Sequence, residues 1–318
     1  MMKTTVIGSH PVTASGLEAI EIAVRDQIDA GIDIISDGQT RKDMVAYFAD
    51  HIPGFKLNDG RTIITGKISP PEDTPLVQDL LYAKRISAGA SEVKAIITGP
   101  VTMAFFSELT PSAPYSGFRD EKLYTDIGEA LAVEAEIISK HGFTTFQFDE
   151  PSFSIGAPMG LAKKALEAVA ADLKGTKALH VCGNLKRSFQ EIVRIEGIDI
   201  LSFAFKDNPG NFDTVDRKAI EDNGKKLGAG CVSSMENKVE EKGAIRQLLE
   251  RIFATYEPEN IAWIHPDCGL RALDRAVAIG KLREMVMAIR EAEADMERSR
   301  HHMCWGMSNS GSPEGLSS

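Results

Sequence analysis

The chain has 318 residues, is 43% hydrophobic and 26% charged, and carries a formal charge of −10. That length supports a sizeable core and permits one large domain, while the negative balance argues against nucleic acid as the main partner. No run of about 18 apolar residues signals a membrane helix, and the first apolar run is too short for a secretory leader.

Eight short apolar runs read as strands, at residues 4–7, 32–36, 94–97, 144–148, 178–181, 198–203, 226–230 and 261–265. They are apolar on both faces, as strands between a barrel interior and a helical jacket are. Amphipathic helical patterns follow, among them 16–30, 121–141, 159–173, 239–256 and 272–296. Repeated βα units at this length predict an α/β fold, a closed (β/α)₈ TIM barrel. An open doubly wound sheet is the rival. It usually carries a Gly-rich turn after its first strand, and Ile7-Gly8-Ser9-His10-Pro11 is not one.

Residues 50–92 separate the second and third strands and contain Pro53-Gly54, Asp59-Gly60 and Ser69-Pro70-Pro71. So long an insertion reads as a lid over the barrel mouth, with a small hairpin strand where apolar residues alternate at 62–68. The barrel domain is expected over 1–297. Residues 298–318 turn rich in Ser, Gly, Asn and Pro and read as a disordered tail. His301, His302 and Cys304 lie in it, with stray metal binding the lesser reading.

In such a barrel, chemistry sits at the C-terminal strand ends. The fifth run ends His180-Val181-Cys182, and the eighth ends His265-Pro266-Asp267-Cys268. Alone, His180 reads as a core histidine. Residues two apart on a strand share a face, so His180 and Cys182 can reach one ion. Cys268 joins them only if the barrel closes. Three N/S donors with an open position suit a catalytic Zn2+. The four cysteines, Cys182, Cys231, Cys268 and Cys304, are too few for a disulfide framework. A reducing, cytoplasmic setting is expected, and Cys231 reads as a small buried residue.

Asp149-Glu150 ends the fourth run. The pair serves as acid/base or binds an ammonium group, or else caps a helix, and only one of the two faces the mouth. Asp37 ends the second run and is a candidate for the mouth, with Arg41 and Asp43 starting a helix. Thr98-Gly99-Pro100 is a compact turn whose backbone either approaches a ligand or simply joins strand to helix.

Together, Ile7-Gly8-Ser9, Arg41-Lys42-Asp43-Met44, Thr98-Gly99-Pro100-Val101-Thr102, Phe148-Asp149-Glu150-Pro151, His180-Val181-Cys182 and Pro266-Asp267-Cys268-Gly269-Leu270 resemble the catalytic barrel of the cobalamin-independent methionine synthase family, in its short archaeal-type form. The resemblance spans about residues 3–295. It implies a zinc on His180, Cys182 and Cys268, an amino-acid thiol site lined by Ile7, Gly8, Ser9 and Asp149, and methyl transfer to a zinc-activated thiol. Coordination deprotonates a thiol whose free pKa is about 8.5.

Several positions depart from the family pattern. The family's glutamate ligand on the sixth strand falls at Ala204, its acidic second-loop residues at Gly38 and Thr40, its proton-donating histidine at Met235, and its folate-contacting acid near Ile155. The departures imply a methyl-corrinoid protein as donor in place of folate. Homocysteine is the leading acceptor, giving methionine. Coenzyme M is the alternative, its sulfonate wanting Arg41 or Lys206. A metal-binding homologue without methyl transfer is a third reading.

Overall fold

In a computed structural model describing residues 2–308, hydrogen bonds close the sheet into a ring. The strands are β1 Lys3–Thr4, β2 Ile34–Ile35, β3 Phe55–Asn58, β4 Arg61–Ile64, β5 Glu92–Val93, β6 Ala95–Thr98, β7 Ser107–Leu109, β8 Thr145–Asp149, β9 Thr176–Val181, β10 Ile200–Ala204, β11 Lys226–Val232 and β12 Ile261–Pro266. The helices are α1 Gly16–Asp29, α2 Met44–Ala49, α3 Pro75–Ser87, α4 Pro100–Phe105, α5 Glu121–Lys140, α6 Met159–Ala170, α7 Phe189–Ile192, α8 Arg217–Asp222, α9 Lys242–Tyr256 and α10 Arg275–Ser308.

Seven parallel strands run in the order β1-β12-β11-β10-β9-β8-β6. The remaining gap is filled by β2, which pairs with β5 and bridges β1 through Thr5 and Ile34. Only Lys94 separates β5 from β6, and its amide donates to Ile35 O at 3.0 Å. These two are one barrel strand with a local irregularity, so each of the eight sequence runs supplies one stave.

Alternation along each strand splits the side chains between two environments. Outward residues such as Phe146, Phe148, Leu179, Leu201 and Phe203 join the main core beneath the helices. Inward residues stack in layers. The lowest is a small apolar plug of Ile34, Ala178, Ile200 and Trp263. Above it, Lys94, Gln147, Asp149, His180, Ser202 and His265 are all buried. A polar layer in a barrel interior costs desolvation unless every group finds a partner, so it marks where function has been built in.

The insertion is not one long loop. The β3–β4 hairpin turns through Asp59 and Gly60, both at positive φ, as a two-residue turn of the right hand requires. Strand β7 adds alongside β4 in parallel. Further along, the segment forms α3, which the sequence does not announce because prolines crowd its start. Pro75 sits at its first turn behind the Thr74 cap, where proline is favoured. Asp43 caps α2, its carboxylate accepting from the Val45 amide at 2.9 Å. At the other end, α10 continues unbroken to Ser308, so 298–308 extends a helix where a disordered tail was expected. Residues 309–318 lie outside the described residues.

Helix α10 is tied back to the start of the chain at Asp26 of α1. That carboxylate accepts both Nε and a terminal nitrogen of Arg275, each at 2.7 Å, and faces His10 Nε2 at 2.9 Å. Burial pushes its pKa up, but the hydrogen bonds from Arg275 and His10 outweigh this and hold it down at about 2. A carboxylate depressed on folding stabilises above its unfolded pKa and loses that contribution as pH falls through the folded value. Asp26→Asn is expected to cost about 2 kcal/mol at pH 7. The gap in urea midpoint between variant and parent should shrink by roughly half by pH 3.

Candidate metal centre

Neighbouring strands are paired so that Asp149, His180, Ser202 and Gly228 stand side by side across β8, β9, β10 and β11. In-register residues on one face are close neighbours. His180 is therefore flanked by a carboxylate on one side and a hydroxyl on the other. Cys182 lies just past the end of β9, and Cys268 just past the end of β12.

The ligand atoms of His180, Cys182 and Cys268 all lie within 4.8 Å of one another. They form the one group of three or more potential metal-ligating side chains found among the described residues. The neighbouring Cys268 sulfur holds the Cys182 thiol below its ordinary pKa, while the Cys182 sulfur and burial push Cys268 well above its own. His180 is buried, and its Nε2 has no hydrogen-bond partner among the described residues. A buried ring nitrogen without a partner is costly, and an ion between it and the two sulfurs would satisfy it. One imidazole and two thiols make a donor set suited to zinc with an open position. Ala204 ends β10 on the same inward face, in register with Gly230, so no side-chain donor is offered from there.

The other candidates separate clearly. Asp149 faces inward beside His180, and burial raises its pKa to about 6. Its Oδ1 accepts from Gln147 Nε2 at 2.7 Å. The same amide donates to Ile7 O at 2.6 Å, while Gln147 Oε1 accepts from Lys94 Nζ. An ammonium only donates, so Lys94 fixes which way the Gln147 amide points, and the NH₂ end is left for Asp149.

Gly8 and Ser9 border the same region. The Gln39 side chain occupies the space a Cβ at Gly8 would need, and Ser9 Oγ the space of a Cβ at Gly269. The Leu270 amide donates to Ser9 O at 2.8 Å, which ties the first strand end to the Cys268 turn.

Glu150 departs from the expected catalytic role. It is wholly buried and turned to the start of α4, where it accepts from the amides of Val101 and Thr102 at 2.9 and 2.8 Å and from the hydroxyls of Thr102 and Ser152. Helix N-termini attract carboxylates in this way, and the helix capped is the preceding one, not the next. The same bonds occupy the amides of Val101 and Thr102, the Gly99 amide donates to Asp149 O, and the Thr98 hydroxyl is spent on Met44 O at 2.8 Å.

Asp37 is buried in a small cavity with Gln39, Arg41, Tyr47 and Ile96, and burial lifts its pKa to about 6. Arg41 is committed to a two-point pair with Asp79, which Tyr47 also contacts. Cys231 is buried among apolar residues, its thiol pushed up by burial. Ile155 and Met235 are exposed. Of His301, His302 and Cys304, only their place on α10 is described.

Two structural residues escaped the sequence. Asp267 accepts the amides of Phe205, Lys206 and Asp207, shaping the loop after Ala204. Asn211 joins Gly183 O, Ala204 O and the Leu185 amide. Both act across strands, and no local pattern announces them.

A family profile described as cobalamin-independent synthase, catalytic domain, matches residues 17–291. A methionine synthase of Methanothermobacter thermautotrophicus is 38% identical over 90% of this chain and 99% of its own. That of Methanocaldococcus jannaschii is 38% identical over 90% and 98%. A B12-independent methionine synthase structure from Shewanella sp. superposes with a TM-score of 0.79 at 20% identity, covering 94% of this chain and 99% of that one.

The Glu150 arrangement makes a separable prediction. Glu150→Gln keeps the shape but cannot accept at both oxygens. It is expected to cost about 2–3 kcal/mol of stability while leaving metal uptake of the folded protein unchanged, measured by chemical denaturation and by metal analysis.

Proposed function

The chain belongs to the cobalamin-independent methionine synthase family, and on that premise we propose that it moves a methyl group onto the thiol of homocysteine, giving methionine. His180, Cys182 and Cys268 would hold a zinc ion. Zinc bound there supplies Lewis acidity that lowers the pKa of the substrate thiol and orients its sulfur. The thiol proton is lost, the new bond forms between sulfur and methyl carbon, and the donor leaves with the electrons of its methyl bond. The observation that carries this reading is the convergence of three donor atoms with the His180 nitrogen otherwise unsatisfied.

The surrounding residues favour an amino-acid thiol. Asp149, held by Gln147, presents a buried carboxylate beside the donor set, and an α-ammonium group would satisfy it. Coenzyme M has no ammonium, and its sulfonate would meet that carboxylate unfavourably. Arg41, one cation considered for a sulfonate, is already paired with Asp79. Ser9 and the Gly8 backbone, beside the Cys268 turn, would shape the rest of the amino-acid pocket. The β3–β4 hairpin shares a rim groove with Met44, Phe106 and Pro151, so it is proposed as the cover of the mouth.

The donor is a finer question. Apolar Ile155 and Met235 stand where folate-using members carry an acid and a proton-donating histidine, which favours a methyl-corrinoid protein. The family's description as cobalamin-independent points the other way.

The test pairs metal analysis with turnover. Purified protein should bind one zinc per chain and methylate homocysteine from methylcobalamin or methyltetrahydrofolate, whichever donor is accepted. Cys182→Ser and Cys268→Ser should each lower activity by more than about 100-fold, the upper end for losing only an outer-shell partner. Absence of zinc, or methylation of coenzyme M in place of homocysteine, would overturn this reading.

A further inference from the structure

We infer that Ser202 and His265 are positioning residues that set the tautomer of His180, leaving its Nε2 unprotonated and available to a metal. The inference rests on the metal-site reading above and adds two buried residues that act through His180.

The chain of hydrogen bonds runs in one direction only. His265 Nδ1 lies 2.8 Å from Pro266 O. A carbonyl oxygen only accepts, so Nδ1 carries the ring proton. The ring is wholly buried with no carboxylate on either nitrogen, conditions that keep it neutral. Its Nε2 is therefore a lone pair, and Ser202 Oγ sits 2.8 Å from it. The serine has a single hydroxyl proton, which goes to that lone pair. Ser202 Oγ must then accept from its other neighbour, His180 Nδ1, at 3.0 Å. With Nδ1–H committed to Ser202, His180 Nε2 is left as the lone pair, and it is the buried atom that lacks a partner.

The backbone makes room for this chain. Gly228 is the in-register neighbour of Ser202 on β11. A Cβ there would stand 3.1 Å from His265 Nε2 and 3.3 Å from Ser202, tight enough to disturb the link. The Pro266 carbonyl that starts the chain lies at the end of β12, by the register shift between β11 and β12. Outer-shell groups that fix the tautomer of a ligating histidine also raise its basicity. Here the usual carboxylate or carbonyl is replaced by a hydroxyl that passes the direction on from a second imidazole.

The test uses the full chain, with zinc competed against a chromophoric chelator. Ser202→Ala should weaken zinc binding by about 10–100-fold without lowering Tm to match, and Ser202→Thr, which keeps the hydroxyl, should restore it. In a double-mutant cycle, His265→Asn should weaken zinc binding in the parent and add little once Ser202 is alanine. A second measurement needs no variant that might fold poorly. Ring ¹⁵N shifts of His180 in the metal-free parent, assigned with His180→Gln, should report the Nδ1–H form. Zinc affinity unchanged in Ser202→Ala, or an Nε2–H ring in the parent, overturns the inference. A parent that binds no zinc overturns the metal reading instead, and the ring tautomer then decides the hydrogen-bond chain on its own.

Discussion

Strand register is the constraint on which the site depends. Parallel pairing places Asp149 against His180 and His180 against Ser202, and a slip of one residue would turn each of them out into the apolar jacket. The alternation that buries Phe148, Leu179 and Phe203 outside the ring is the same alternation that points the polar residues inward. Hydrophobic burial on the outer face therefore holds the metal-ligand geometry on the inner one. Closure through the Thr5–Ile34 bridge brings β12, and with it Cys268, round to β9.

A polar layer inside a barrel is stable only if its members satisfy one another. Two chains do most of this. Lys94 orients Gln147, which orients Asp149; His265 orients Ser202, which orients His180. Each starts from a group anchored on a backbone carbonyl, the Lys94 amine on Val6 O in one case and the His265 ring on Pro266 O in the other. Each ends on an inward residue of the candidate site. Below them, the plug of Ile34, Ala178, Ile200 and Trp263 closes the barrel floor, so the mouth is the way in for a substrate. Burial also lowers the pKa values of this layer's bases, to about 7 for Lys94 and about 3 for His265.

The two adjacent carboxylates show how neighbours in sequence diverge in role. Asp149 and Glu150 are both buried acids at one strand end. Asp149 stands in the row of His180 only because the pleat points it inward. Glu150, one residue on, meets the start of α4 and becomes a cap. Apart from the nearby Ser152 hydroxyl, its partners lie about fifty positions earlier in the chain, and nothing next to it in the sequence names them.

Periodic and local features are legible along the chain alone: eight apolar runs, the ligand-type residues where they stop, and the His180-x-Cys182 spacing that a strand places on one side. The family pattern followed from those stretches. Pairings across the ring emerge only in the folded chain, among them the approach of Cys268 to His180, the Ser202–His265 link, the Arg41–Asp79 pair and the turning away of Glu150. Helix α3 is hidden as well, because the prolines before and at its first turn read as loop and the Thr74 cap exists only in the folded chain. The physical reason is that periodicity is carried by adjacent residues, whereas a hydrogen bond between distant strands is specified by register and closure, which no single stretch of chain contains.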